Sequence, residues 1–159
     1  MAGLVRVSEA ASLGLHAAML LARAAPSLLR TRDIGERMGA SQAHLVKVLQ
    51  SLSRAGLVET ERGPRGGARL TRPAGEVTLL QAYEAVDGPL EASECLLTRP
   101  VCDGSCCMVG KLLYRMNQEV RQHLARTSLA DVWSAGAAGA AITAAGAAGC
   151  DDGSSGAKG

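Results

Sequence analysis

Apolar residues recur along most of this chain at helical spacing, and polar punctuation separates one run from the next. In SEAASLGLHAAMLLARAA, Leu13, Ala17, Leu20 and Leu21 fall on one face. Ser8 is placed to cap the run, Glu9 suits its first turn and Pro26 lies just beyond its end, which predicts a helix over 9–24. The next stretch, LLRTRDIGERMGASQAHLVKVLQSLSRAGLV, predicts two helices in quick succession. Thr31 is the expected cap of the first and Gly39 its end; Ser41 caps the second and Gly56 ends it. Within the second, Leu45, Val48, Leu49 and Leu52 form a stripe for burial, leaving Gln42, Ala43, Val46, Lys47, Gln50 and Arg54 outward. Two helices joined by a short turn containing Gly39 make a helix-turn-helix.

The period then changes from helical to alternating. GLVETERGPRGGARLTR reads as a hairpin with one arm from Leu57 to Arg62, the other from Ala68 to Thr71, and GPRGG as its tip. Arg62, Arg65, Arg69 and Arg72 lie on or beside it. A basic hairpin directly after a helix-turn-helix is a winged helix. In EVTLLQAYEAVDG, Thr78 and Gln81 form a capping box for a helix over 79–86, which Asp87, Gly88 and Pro89 stop. The segment SECLLTRPVCDGSCCMVG follows as a loop. From Met108, the residues Val109, Leu112, Leu113, Met116, Val120 and Leu124 form an apolar seam with little other chain to pack on, so a dimer seam is expected. Thr127 or Ser128 starts a short helix through Trp133, which should pack on the first or last helix.

After Ser134 the composition collapses to Ala and Gly, and Gly136, Gly139, Gly146 and Gly149 interrupt any helix, which predicts a flexible tail. The expected fold class is mainly α with a small β-hairpin wing. Its organisation is a winged helix-turn-helix over 1–88, a cysteine-rich sensor loop over 89–107, a dimerisation helix and short terminal helix over 108–133, and the tail over 134–159.

Charge sharpens this picture. Residues 1–72 carry eleven Lys or Arg against five Asp or Glu, a net of +6; residues 73–159 carry six against ten, a net of −4. A basic N-terminal half fits a nucleic-acid module, although many solvated faces look the same. The residues at the start of the second helix in the pair are suited to base edges. Gln42 can read adenine, Ala43 can touch a thymine methyl, Ser41 can bond a phosphate or base, and His44 and Lys47 stand beside them. Arg62, Arg65 and Arg69 suit phosphates or a minor groove. The competing reading is an amphipathic helix whose polar face meets only water; turn, wing and charge in succession favour double-stranded DNA. Three aromatic residues make a poor base-stacking platform for RNA. RGPRGGARL lacks the Lys-Ser/Thr ending of a phosphate loop, and no nucleophile–base motif points to an enzyme. No apolar run is long enough to span a membrane and no leader pattern opens the chain, so a cytoplasmic protein is expected.

Cysteine usage is the remaining signal. Four of the five cysteines, Cys95, Cys102, Cys106 and Cys107, fall within the loop, without the paired CxxC of a zinc ribbon. In a reducing compartment, clustered thiols serve as metal ligands or redox groups more often than as disulfides. Thiolates are the usual protein ligands of iron–sulfur clusters, and Gly104 and Ser105 let the backbone turn tightly. Cys150, in the tail, reads as incidental.

Taken together, SLGLHAAMLLARAA, HLVKVLQSLSRAGLVETERGPRGGARL, LLQAYEAVDGPL and the cysteine loop before a long helix resemble the Rrf-two family of bacterial winged-helix transcription regulators. The resemblance covers roughly residues 4–133, and RGPRGG with AVDG is its most specific part. It implies a homodimer with crossing C-terminal helices, each subunit reading half of a palindromic operator. It also implies a [2Fe-2S] or [4Fe-4S] cluster on three cysteines, as in the family's cluster-binding members. Carried over, Cys95 matches the first ligand, Cys102 the second and Cys107 the third, with Cys106 an alternative or additional ligand. The spacing departs from the family's, and Gly110 stands where some members have a histidine. Ser12 stands where others present a carboxylate from the partner; Glu9 and His16 lie one turn to either side as substitutes. Other readings stay open: a metal-free thiol switch on Cys106 and Cys107, zinc or no ligation, a small-molecule-responsive regulator of this fold, or a cysteine-dependent interaction protein that no longer reads DNA.

Overall fold

Leu45, Val48, Leu49 and Leu52 are all buried, and the rest of the fold is arranged around them. The computed structural model describes residues 7–61, 63, 66–90, 95 and 107–134. In chain order the elements are α1 (Glu9–Ala24), β1 (Leu29–Arg30), α2 (Thr31–Met38), α3 (Gln42–Arg54), β2 (Val58–Thr60), β3 (Gly67–Leu70), a 3-10 turn (Ala74–Glu76), α4 (Leu79–Asp87) and α5 (Met108–Arg126). A further helical stretch covers 129–134. The architecture is thus mainly α with a small sheet, as expected. Leu21 of α1, Ile34 of α2, the α3 stripe, Val58 of β2, Ala68 of β3, Ala82 of α4 and Leu129 share one core. At about 25 cal/mol per Å² of apolar surface removed from water, that shared core is the main stabilising contribution.

Most local signals act where the sequence placed them. Ser8 Oγ accepts from Ala11 N at 2.9 Å, and Ser41 Oγ from His44 N at 3.3 Å. Thr78 and Gln81 make both bonds of their capping box. Gly39 closes α2 at φ 61°, a left-handed conformation that glycine adopts without steric cost.

Two local features differ from the sequence reading. Thr31 is not a cap: it is the first residue of α2, and Arg30 holds the cap position without a side-chain cap bond. The reason is a third strand. Arg30 ends β1, which pairs with β3 so that Leu29 faces Ala68 and Arg30 faces Gly67. The chain therefore passes straight from strand to helix, leaving no linker residue to cap it. The sheet order is β1-β3-β2, all antiparallel. A strand of two residues is too short to show alternation, and its pairing depends on Gly67. A Cβ there would sit 2.1 Å from the Leu29 carbonyl oxygen.

The end of the described chain returns to the body. Leu79 N donates to Thr127 O at 2.9 Å and Leu129 N to Val77 O at 2.8 Å, forming a bridge between Thr78 and Ser128. Ser128 and Asp131 cap the last helical stretch reciprocally. Trp133 then packs on α1, where its Nε1 donates to Met19 O at 3.0 Å and the Arg23 guanidinium lies 4.9 Å from its ring. The 134–159 tail lies outside the described residues beyond Ser134, as does most of the cysteine loop.

Candidate nucleic-acid interface

Ser41 ends the turn after Gly39, so its cap fixes where α3 begins and which residues lead it. Because the stripe from Leu45 to Leu52 faces the core, Gln42, Ala43, Val46 and Lys47 are exposed on the opposite side. His44 stands between the two faces: it is partly buried, and its Nδ1 lies 3.7 Å from Glu9 Oε1 of α1. The expected reading residues Ser41, Gln42, Ala43 and Lys47 are thereby grouped on one exposed surface, with His44 turned toward α1.

The wing flanks this surface. Glu59 faces Arg69 across β2 and β3, and the two side chains form a short ion pair; Glu61 Oε1 lies 3.8 Å from the same guanidinium. The hydrogen bond to Glu59, followed by its charge, raises the pKa of Arg69. Arg69, expected to suit phosphate or a minor groove, is flanked by two carboxylates that offset its charge, and through Glu59 it joins the wing strands. Arg62 and Arg65 lie outside the described residues.

Sequence reading missed two cations here. Arg30 and Arg32 flank the start of α2 and, with Gln42, Val46, Glu61 and Gly63, line a cleft of about 600 Å³ between α2, α3 and the wing. Arg32 is paired with Glu36 at 2.7 Å on an open surface. Two arginines around Thr31, at the head of the first helix of the pair, were the available signal.

The cysteine segment is tied down at both described ends. Before it, Arg121 Nη1 of α5 donates to Glu84 Oε1 of α4 at 2.9 Å and to Leu90 O at 3.1 Å, while Leu90 N donates to the same Glu84 oxygen at 3.2 Å. After it, Cys107 caps α5: its Sγ accepts from Gly110 N at 3.2 Å. Cys95 is half-buried, and Cys102 and Cys106 lie outside the described residues. Among the described residues no three His, Cys, Asp or Glu side chains converge. Of the two substitute ligands on α1, Glu9 is exposed with its Oε1 3.7 Å from His44 Nδ1, and His16 Nδ1 donates to Ser12 O at 2.7 Å. Glu84 and Arg121 were not foreseen, because their pairing depends on α4 and α5 lying side by side.

The α5 seam divides in two. Gly110 and Leu113 are buried, whereas Met108 is 85% exposed, and Val109, Leu112 and Tyr114 are exposed as well. Among the described residues no helix is long and apolar enough to cross a membrane.

Comparison with known proteins adds the following. The model of the Rrf2 family, described as an iron-dependent transcriptional regulator, matches residues 7–135. Protein aau3 of Rhizobium meliloti (strain 1021) is 37% identical over 91 residues, which are 57% of this chain and 59% of that protein. The HTH-type transcriptional regulator IscR of Xenorhabdus nematophila is 31% identical over 100 residues, 63% of this chain and 61% of that protein. The chain thus spans about three fifths of the length of these curated relatives. Among solved structures, CymR, the global cysteine regulator of B. subtilis, superimposes with a TM-score of 0.67 at 24% identity, covering 82% of this chain and 97% of that one.

Proposed function

Because this chain belongs to the Rrf2 family of transcription regulators, we propose that it acts as a homodimer in which two winged helix-turn-helix heads read a palindromic DNA operator. The family is one of regulators and not of enzymes. The observation that carries the reading is the outward face of α3, where Gln42, Ala43 and Lys47 stand exposed beside the wing while the opposite stripe is buried. Lys47, with Arg62 and Arg65 of the wing, would neutralise phosphates and fix the register; Gln42 and Ala43 would meet base edges. Arg69 would act at one remove, by holding the wing strands. The exposed apolar side of α5 would meet its counterpart on the second subunit.

The cysteine segment supplies the regulation. Four thiols between Cys95 and Cys107, one of them capping a helix N-terminus, are a donor set that suits an iron–sulfur cluster. Cys95, Cys102 and Cys107 would hold it, with Cys106 as an alternative or additional ligand. When bound, such a cluster supplies redox chemistry and a centre that iron–sulfur status or nitric oxide can alter. The chain's own part is to register the change. Leu90, at the head of the segment, is held jointly by Glu84 of α4 and Arg121 of α5, and α4 packs on α1 and α3. Order in the segment would thus bias the spacing of the reading heads, provided that the two states bind DNA differently. A second reading rests on the vicinal Cys106 and Cys107: a thiol switch acting through the same joint without metal.

The test of DNA reading is fluorescence anisotropy with duplexes selected by the protein, across a salt series. Lys47→Ala and Arg65→Ala should each weaken binding and reduce the salt slope by about one. Unchanged affinity in both would overturn the reading. Absorption with iron and sulfide analysis of anaerobically purified protein, alongside Cys95→Ala, tests the cluster. Colourless, iron-free protein after anaerobic reconstitution would overturn the cluster reading and favour the second one.

A further inference from the structure

Among the described residues, the large apolar side chains most open to solvent are Val7, ahead of α1; Met108, Val109, Leu112 and Tyr114, on α5; and Val46. A lone exposed valine is ordinary on a protein surface. The position of this one is informative. Val46 is 40% exposed on α3 and lies one turn beyond Gln42, so both project from the same face. It enters the cleft between α2, α3 and the wing, whose other named lining residues, among them Arg30, Arg32 and Glu61, are charged, polar or glycine. Among the described residues that line it, Val46 is the one hydrocarbon side chain.

Resting on the DNA-reading function above, we propose that Val46 is a specificity-determining residue that reads the 5-methyl group of one thymine in each half-site. A valine has no donor or acceptor, so it cannot recognise a base by hydrogen bonding. The base edges in the major groove present a single apolar group, the thymine methyl. Set against cytosine or guanine, Val46 would bury an amino or carbonyl group without a partner, which is unfavourable. Its β-branch restricts χ1, so its methyl groups are already placed and little rotamer freedom is lost on contact. Arg30 and Arg32, at the margin of the same cleft, can meet the adjoining backbone while Gln42 takes the neighbouring base edge.

The experiment uses the full chain and duplexes that it selects from a randomised pool. Each thymine is replaced singly by deoxyuridine, which removes only the 5-methyl group, and affinities are measured at one salt concentration for wild type and Val46→Ala. Wild type should lose roughly fourfold at one thymine per half-site, the effect of one apolar group returned to water. Val46→Ala should bind the intact duplex more weakly by a similar factor and be indifferent to deoxyuridine at that thymine. If no thymine shows a methyl effect, or if the effect persists in Val46→Ala, the inference is overturned; persistence would assign the contact to Ala43. If no duplex is selected at all, DNA reading itself fails, which is a separate outcome. Circular dichroism checks the fold of the variant, and Val46→Thr, which keeps the branched shape with one methyl replaced, provides the same comparison should Val46→Ala unfold.

Discussion

The winged body and the limb formed by α5 are built on opposite principles. In the body, α1, α2, α3, the sheet and α4 bury their apolar faces against one another in one shared core, which Leu129 joins from beyond α5. In the limb, the first half of α5 buries Gly110 and Leu113 but leaves Met108, Val109, Leu112 and Tyr114 in solvent. The second half of α5 is anchored to α4 through Arg121, and the chain beyond it to the head of α4 and to α1. A region that completes its own core can hold a reading surface rigid. A region that leaves its core half-made depends on what covers it, which suits a sensor and a subunit contact.

The largest effects should separate the two regions. Leu52→Ala, at a fully buried site, should destabilise the body by about 2–5 kcal/mol in denaturant unfolding. Leu112→Ala, on the exposed side of α5, should leave the unfolding of a dilute monomer unchanged and weaken the proposed dimer about tenfold in sedimentation. Equal effects on monomer stability would erase the contrast. Next is Gly67→Ala, which drives a methyl group into the Leu29 carbonyl; a loss of about 1–3 kcal/mol with loosening of β1 is expected, read by denaturation and amide exchange.

A smaller change in stability should follow Arg121→Met at the joint between the regions. The Arg121 side chain is 43% exposed, so screening keeps its stabilising contribution to about 0.5–1 kcal/mol. The informative readout is the ratio of DNA affinities between the two states of the cysteine segment, which should approach one. Full retention of that ratio would show that the segment acts by another route.

The smallest effect concerns Asp131. Its side-chain and then backbone hydrogen bonds to Ser128 lower its pKa below the ordinary carboxylate value. A lowered folded pKa means that the contribution is present above the unfolded value and is lost as pH falls through the folded one. Emission from Trp133, two residues further on, should therefore hold steady down to the ordinary aspartate range and shift only below it. Asp131→Ala should abolish that step, and a step that survives the substitution belongs to another group.

Particular residues show how far sequence reading reached. The stripe from Leu45 to Leu52, the caps at Ser8, Ser41 and Thr78, and the stop at Gly39 are local signals, decided by neighbours within one or two turns. Each of these stands in the structure. Thr31 failed as a cap because a strand two residues long, paired with chain far downstream, occupies the position before it. For Arg69, charge and place on the hairpin suggest phosphate or a minor groove, while its carboxylate partners become visible only when β2 and β3 are in register.

By itself, then, the sequence determined the helices and the wing hairpin, the winged helix-turn-helix order, the outward face of α3 and the clustering of thiols, because helix periodicity, capping and turn chemistry are short-range. Only the tertiary structure decided that Arg69 pairs across the wing strands, that Arg30 and Arg32 border the cleft between α2, α3 and the wing, that Val46 enters it, and that Glu84 and Arg121 grip the head of the cysteine segment. Those arrangements join residues from separate elements, and no local spacing encodes which distant side chains packing will bring within bonding distance.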